Sequence, residues 1–140
     1  MKIRNFVVVL LLVGFAALAP LAGLGVAEIG WSAGAGALVL LLGFGFFALG
    51  WIGGGDVKLA AASTLWIGAE RVIEFFTFTA LFGGLMALLL LQMRGLALPA
   101  PLQGTAMFTR LDSSRPGVPY GLAMALAVLV VFPQSPWMHP

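Results

Sequence analysis

The residues best suited to chemistry in this chain are an aspartate and the three glycines directly before it, Gly53-Gly54-Gly55-Asp56, with Lys58 two positions later. Apolar sequence flanks this group, and an acidic residue at the edge of a bilayer is costly enough that its default interpretation is functional. A carboxylate can accept or donate a proton in general acid–base catalysis. Glycines let a substrate approach the backbone closely. The structural alternative is that Asp56 is the N-cap of a helix that follows a glycine turn.

Lys58 also has two interpretations. It could orient a substrate or a phosphate, but a lysine beside an apolar segment more often extends its ammonium group to the membrane interface. It cannot pair with Asp56 along a helix, because side chains at positions i and i+2 point in different directions.

The composition indicates an integral membrane protein. The chain has 140 residues, of which 61% are hydrophobic and 9% are charged, whereas about 25% of residues in soluble proteins are charged. The formal net charge of +2 is too small to indicate binding to nucleic acid. The chain has no cysteine, which excludes disulfides and thiolate zinc sites, and His139 has no companion ligand nearby in sequence. We therefore expect neither a metal nor a cofactor.

Five apolar segments predict an all-α fold, a polytopic membrane helix bundle that forms a single domain over residues 1–140. The third segment is too short to cross a core of roughly 30 Å unless the bilayer is thinned or a polar cavity shortens the path. Glu28 is expected in the turn between the first two segments. The segments cover residues 6–26, 31–52, 56–69, 69–93 and 119–132, with a polar loop over 94–118.

The positive charges predict the orientation of the bundle. With a cytoplasmic N-terminus and five crossings, Arg71 is the one cation on the outer side. It lies next to Glu70 and Glu74, and we expect these three residues to form an interfacial charge cluster in which Arg71 and Glu74 pair. Cytoplasmic loops carry the excess of Lys and Arg, so Asp56 and the 94–118 loop are expected to face the cytoplasm. The remaining six of the seven cations then lie inside: Lys2, Arg4, Lys58, Arg94, Arg110 and Arg115.

The N-terminus allows a second interpretation. A basic start followed by an apolar run and small residues is typical of a signal peptide. The apolar run is longer than usual, however, and another apolar segment follows it, so we favour a membrane helix.

Aromatic and glycine residues predict how the helices sit and pack. Four tryptophans near segment ends fit an interfacial aromatic belt, and two glycine pairs fit close helix packing. These residues are Trp31, Trp51, Trp66 and Trp137, and Gly43, Gly45, Gly83 and Gly84.

Three motifs in this order resemble the type IV prepilin peptidases, most closely the short branch that serves Flp/Tad-type pili. Gly53, Gly55, Asp56 and Lys58 match the family's GxGD motif and its following lysine. Trp66 and Gly68 match a Trp-x-Gly at the end of the next helix, and residues 2–5 are similar to the family's RIPN segment, with Arg4 where proline is usual. The third motif opens the last segment: Pro119, Tyr120 and Gly121.

The resemblance implies a membrane-embedded aspartic endopeptidase that cleaves the leader peptide of prepilin or pseudopilin precursors at the cytoplasmic face of the bacterial inner membrane. Asp56 is then one of two catalytic aspartates, and the other would lie upstream of Met1, on a first helix. We expect a start codon further upstream, the alternatives being a truncated gene or lost activity. Asp112 is a less favoured second acid, because acids in loops are usually only solvated.

The absence of cysteine bears on which branch of the family is resembled. Longer relatives carry a cysteine-rich insertion associated with methylation, so the resemblance implies cleavage without N-methylation here. The alternative from another functional class is a non-catalytic or truncated membrane protein associated with pilus assembly or secretion.

Overall fold

The computed structural model describes residues 5–95 and 120–138, and this part of the chain contains helices and no strands. The predicted all-α fold is therefore confirmed. The 94–118 loop lies almost wholly outside the described residues, as do Pro119, Asp112 and His139. The helices are α1 (Asn5–Leu21), α2 (Val26–Ala48), α3 (Gly54–Ile67), α4 (Val72–Gly95) and α5 (Tyr120–Val131), with short 3-10 helices at Ala69–Arg71 and Phe132–Gln134.

The turn between α1 and α2 lies earlier in the chain than the sequence predicts, over residues 22–25 instead of 27–30. Gly25 is the N-cap of α2, and its backbone N–H donates a hydrogen bond to Glu28 Oε2 over 3.0 Å. Glu28 therefore lies in the first turn of α2 and not in the turn before it. This placement satisfies a helix N-terminal donor and puts a negative charge at the positive end of the helix dipole.

The central helix of the bundle is α3, in which seven of 14 residues are buried. It packs against α2 through small residues, since a Cβ on Gly36 would lie 3.2 Å from the Ala61 carbonyl oxygen and a Cβ on Gly43 would overlap Val57. Gly83 of α4 similarly faces the Tyr120 ring of α5 at 3.3 Å. Gly45 and Gly84 face open space, so only one glycine of each predicted pair serves helix packing.

The outer surface of the bundle is apolar. Leu41 is 70% exposed and Leu129 is 71% exposed. Among the described residues, two helical stretches are long and apolar enough to cross a membrane by length and composition: α2, and Ala69–Gln92, which joins the 3-10 helix to most of α4. The buried core comprises Ala60, Ile67, Phe75, Met124, Ala127 and Val131. A small core inside an apolar exterior suits a helix bundle in lipid, where helices satisfy their own backbone hydrogen bonds.

Candidate active site

Asp56 lies in the first turn of α3. Gly53 is the N-cap in an extended conformation, and the backbone N–H groups of Asp56 and Val57 donate to its carbonyl oxygen over 3.0 and 3.2 Å. The interpretation of Asp56 as the N-cap is therefore wrong, because that position belongs to Gly53. A carboxylate in the first turn is stabilised by the helix dipole, and Asp56 is half-buried.

The glycines before Asp56 leave room for neighbouring groups. A Cβ on Gly53 would lie 3.4 Å from Asp56 Oδ2, and a Cβ on Gly54 would lie 3.2 Å from the Phe47 ring. The carboxylate thus sits over the Gly53 backbone, and the end of α2 packs against Gly54. A side chain at Gly53 would therefore come into van der Waals contact with Asp56 Oδ2.

Lys58 contacts α1. Its Nζ donates a hydrogen bond to Asn5 Oδ1 over 3.2 Å, so the ammonium group bridges the first turns of two helices and does more than extend to the interface. Lys58 also forms part of an apolar groove of about 400 Å³ between α1 and α2, with α3 at its base. The walls of the groove include Val8, Leu12, Ala37, Leu40 and Phe44.

The Trp-x-Gly motif ends α3 as predicted. Gly68 adopts φ +90°, a conformation that side chains rarely adopt, and a Cβ there would also lie 3.2 Å from Pro136 Cδ. Trp66 Nε1 donates to the Leu11 carbonyl oxygen over 3.0 Å, and its ring stacks on Trp137 with centroids 4.9 Å apart. The motif therefore joins α1, α3 and the C-terminal segment.

The tryptophans divide into two groups. Trp31 and Trp51 are 74% and 73% exposed, as an interfacial belt would have them. Trp66 and Trp137 instead pack with Phe15, whose ring meets theirs edge-on at 6.0 and 5.8 Å.

Tyr120 and Gly121 begin α5 close to the other helices. The Tyr120 ring lies against Gly83, and a Cβ on Gly121 would lie 3.9 Å from Leu59 Cδ2. Since Leu59 follows Lys58 directly, this motif places the start of α5 near the first turns of α3.

The other described acids lie at the far end of α3. Arg71 Nη1 and Glu74 Oε1 form the predicted ion pair at 2.7 Å. Glu70 lies beyond the end of α3 at Ile67, and the helix from Asp56 to that end alone is about 17 Å long at 1.5 Å per residue. Within residues 5–95 and 120–138, no second carboxylate lies beside Asp56, and no group of three acids or histidines could hold a metal ion.

The residues that form a cavity at that far end could not be named from the sequence. The cavity has a volume of about 530 Å³ and includes Glu28, Ser32, Glu70, Arg71 and Ser135. These residues come from α2, the turn after α3 and the C-terminal segment, and their separation in sequence gives no sign that they meet. The Lys58–Asn5 hydrogen bond was missed for the same reason, although Asn5 belongs to a motif that the sequence singles out.

Comparison with known proteins supplies a family for this arrangement. Residues 1–88 match the model of the type IV leader peptidase family, a stretch that includes Gly53–Asp56 and Trp66–Gly68. Neither the curated proteins nor the solved structures include a significant match to the chain. The matched stretch is more than half of the 140 residues. The chain therefore belongs to the type IV leader peptidase family.

Proposed function

We propose that this protein is a membrane-embedded aspartic endopeptidase that removes the leader peptide from prepilin-like precursors at the cytoplasmic face of the inner membrane. The observation that carries the proposal is the family match over residues 1–88, because it contains a half-buried Asp56 at the start of the central helix. The six-to-one distribution of cations supports the cytoplasmic orientation of this end.

Asp56 supplies one of the two carboxylates that the reaction needs. An ionised carboxylate takes a proton from water while a protonated partner donates a proton to the peptide carbonyl oxygen or the leaving nitrogen. When two acids are held close together their pKa values move apart, and this difference decides which acid takes the proton and which one donates it. The partner of Asp56 lies outside the described residues in this proposal. The upstream aspartate implied by the resemblance is favoured over Asp112.

The apolar groove supports a substrate whose hydrophobic segment stays in the bilayer. Its walls are aliphatic and aromatic, and Lys58 adjoins it two residues after Asp56. A hydrophobic substrate helix lying against this groove would present its polar leader to the first turn of α3. Within the family, we favour the Flp/Tad branch and cleavage without N-methylation, as the motifs and the lack of cysteine imply.

The test is the variant Asp56→Asn, assayed in membranes for leader removal from a prepilin, in a form of the protein that carries the upstream aspartate. The amide keeps the shape of the carboxylate but cannot take up or release the proton, so cleavage should fall by several orders of magnitude while membrane insertion is unchanged. Glu74→Gln makes the same chemical change at the other end of α3 and should leave cleavage intact.

Undiminished processing by Asp56→Asn would exclude Asp56 as a catalytic residue. If the unmodified form with the upstream aspartate also failed to process prepilin, a non-catalytic role in pilus assembly would replace the proposal. If Asp112→Asn alone abolished cleavage, Asp112 would be the partner acid.

A further inference from the structure

The N-terminal half of α1 has few contacts that hold it in place. The buried residues of this helix are Phe15 and Ala19, both in its second half. Between Asn5 and Gly14 every residue is exposed or half-buried. Apolar side chains on this stretch can contact lipid as well as protein, so hydrophobic burial does little to fix its position.

Two hydrogen bonds join this half of α1 to α3. Trp66 Nε1 donates to the Leu11 carbonyl oxygen over 3.0 Å, and Lys58 Nζ donates to Asn5 Oδ1 over 3.2 Å. The donor of the second bond is a charged group, and such bonds are stronger than bonds between neutral partners. This bond to Asn5 lies at the very start of α1, six residues before Leu11, which accepts the bond from Trp66.

We infer that Lys58 is a positioning residue, whose ammonium group fixes the start of α1 against the first turn of α3 beside Asp56. The inference rests on the proposed function in one respect: the alignment matters for cleavage because α1 contributes Val8 and Leu12 to the groove that the proposal assigns to the substrate. Catalytic groups must be held within about 0.5 Å of productive geometry. A loosened α1 would therefore shift a bound substrate relative to Asp56.

Kinetic measurements can separate this role from direct substrate binding. Lys58 also adjoins the apolar groove, so a substrate-binding lysine would act through KM and independently of Asn5. A positioning lysine acts through kcat and only through Asn5. A double-mutant cycle between Lys58 and Asn5 distinguishes the two roles, because coupled residues give non-additive effects.

The kinetic test uses Lys58→Met, Asn5→Leu and the double variant, with Lys58→Arg as the conservative change. We expect kcat to fall about tenfold in each single variant, the double variant to be no worse than either single one, and KM to stay within twofold. Lys58→Arg should retain most of the activity because the guanidinium also donates to Asn5. Additive losses, or a loss confined to KM, would overturn the inference.

A structural test does not depend on peptidase activity. The chain contains no cysteine, so spin labels on Phe6→Cys and Thr77→Cys would report the distance from the start of α1 to the rest of the bundle. The distance distribution should be narrow in the parent protein and in Asp56→Asn, and broad in Lys58→Met and Asn5→Leu. If Lys58→Met leaves the distribution narrow, the inference fails whether or not the protein is a peptidase.

Discussion

The contact between Gly43 of α2 and Val57 of α3 offers a sharp test of how α3 is placed. A Cβ on Gly43 would overlap Val57 Cγ1 and would also lie 3.2 Å from Cγ2 and 3.3 Å from Cβ of the same residue. All three carbon atoms of this side chain are involved, and a β-branched residue in a helix has essentially one χ1 rotamer. Gly43→Ala therefore cannot be accommodated by rotating Val57, and the helices must move apart.

The expected magnitude follows from two opposing terms. Overpacking a tight contact costs about 1–3 kcal/mol, whereas replacing a helical glycine by alanine contributes about 1 kcal/mol of helix propensity. Gly45→Ala is the matched control, since it lies in the same helix and its added Cβ would meet nothing within 4 Å. The propensity term cancels between the two variants, so Gly43→Ala should be less stable than Gly45→Ala by about 1–3 kcal/mol.

Both variants would be compared by reversible unfolding in mixed micelles and by prepilin cleavage in membranes. Because Val57 is the neighbour of Asp56, Gly43→Ala should lower cleavage while Gly45→Ala leaves it unchanged. Removing the obstructing methyl groups with Val57→Ala should restore part of the stability of Gly43→Ala. Equal stability of the two alanine variants would refute the close α2–α3 packing described here.

Two further predictions concern other parts of the bundle. Reporter fusions at Gly104 and His139 should report opposite sides of the membrane, with Gly104 cytoplasmic, because one crossing separates them in the proposed topology; the same side for both would contradict five crossings. Trp66→Phe should lower the free energy of unfolding by about 1 kcal/mol, because the Leu11 carbonyl oxygen loses a donor. Trp31→Phe, at a position that is 74% exposed, should change it little. Equal effects of the two variants in thermal unfolding would argue against the Trp66 hydrogen bond.

The helices could be predicted from the sequence because each is an apolar run, and some of these runs end at residues with a known local role. Gly68 is an example, since its positive φ ends α3 where the Trp-x-Gly motif predicts. The bounds differ by a few residues where the signal is local and short. Glu28 was expected in a turn because it is charged, but its carboxylate caps α2 from inside the first helical turn.

Contacts between distant residues could not be predicted in the same way. Lys58 and Asn5 are 53 positions apart and Trp66 and Leu11 are 55 apart, and nothing in a single sequence records that such residues meet. Periodicity was also uninformative, since helices in lipid are apolar on all sides and do not show which face is buried. Asp56 could be singled out as a candidate because the cost of a carboxylate in an apolar chain is visible at a single residue.

The length of α3 bears on how this helix could cross a bilayer. Its 14 residues span about 21 Å, which is about 9 Å less than the hydrocarbon core of a bilayer. The sequence therefore predicts a thinned bilayer or a polar cavity, and in the proposed topology the cavity beside Gly68 and Arg71 fits the second of these. Polar backbone at that end of α3 lines a cavity and need not face lipid. In the proposed orientation, α3 can then be displaced toward the cytoplasm, so that Asp56 meets both water and the polar leader while a hydrophobic substrate segment remains in the bilayer.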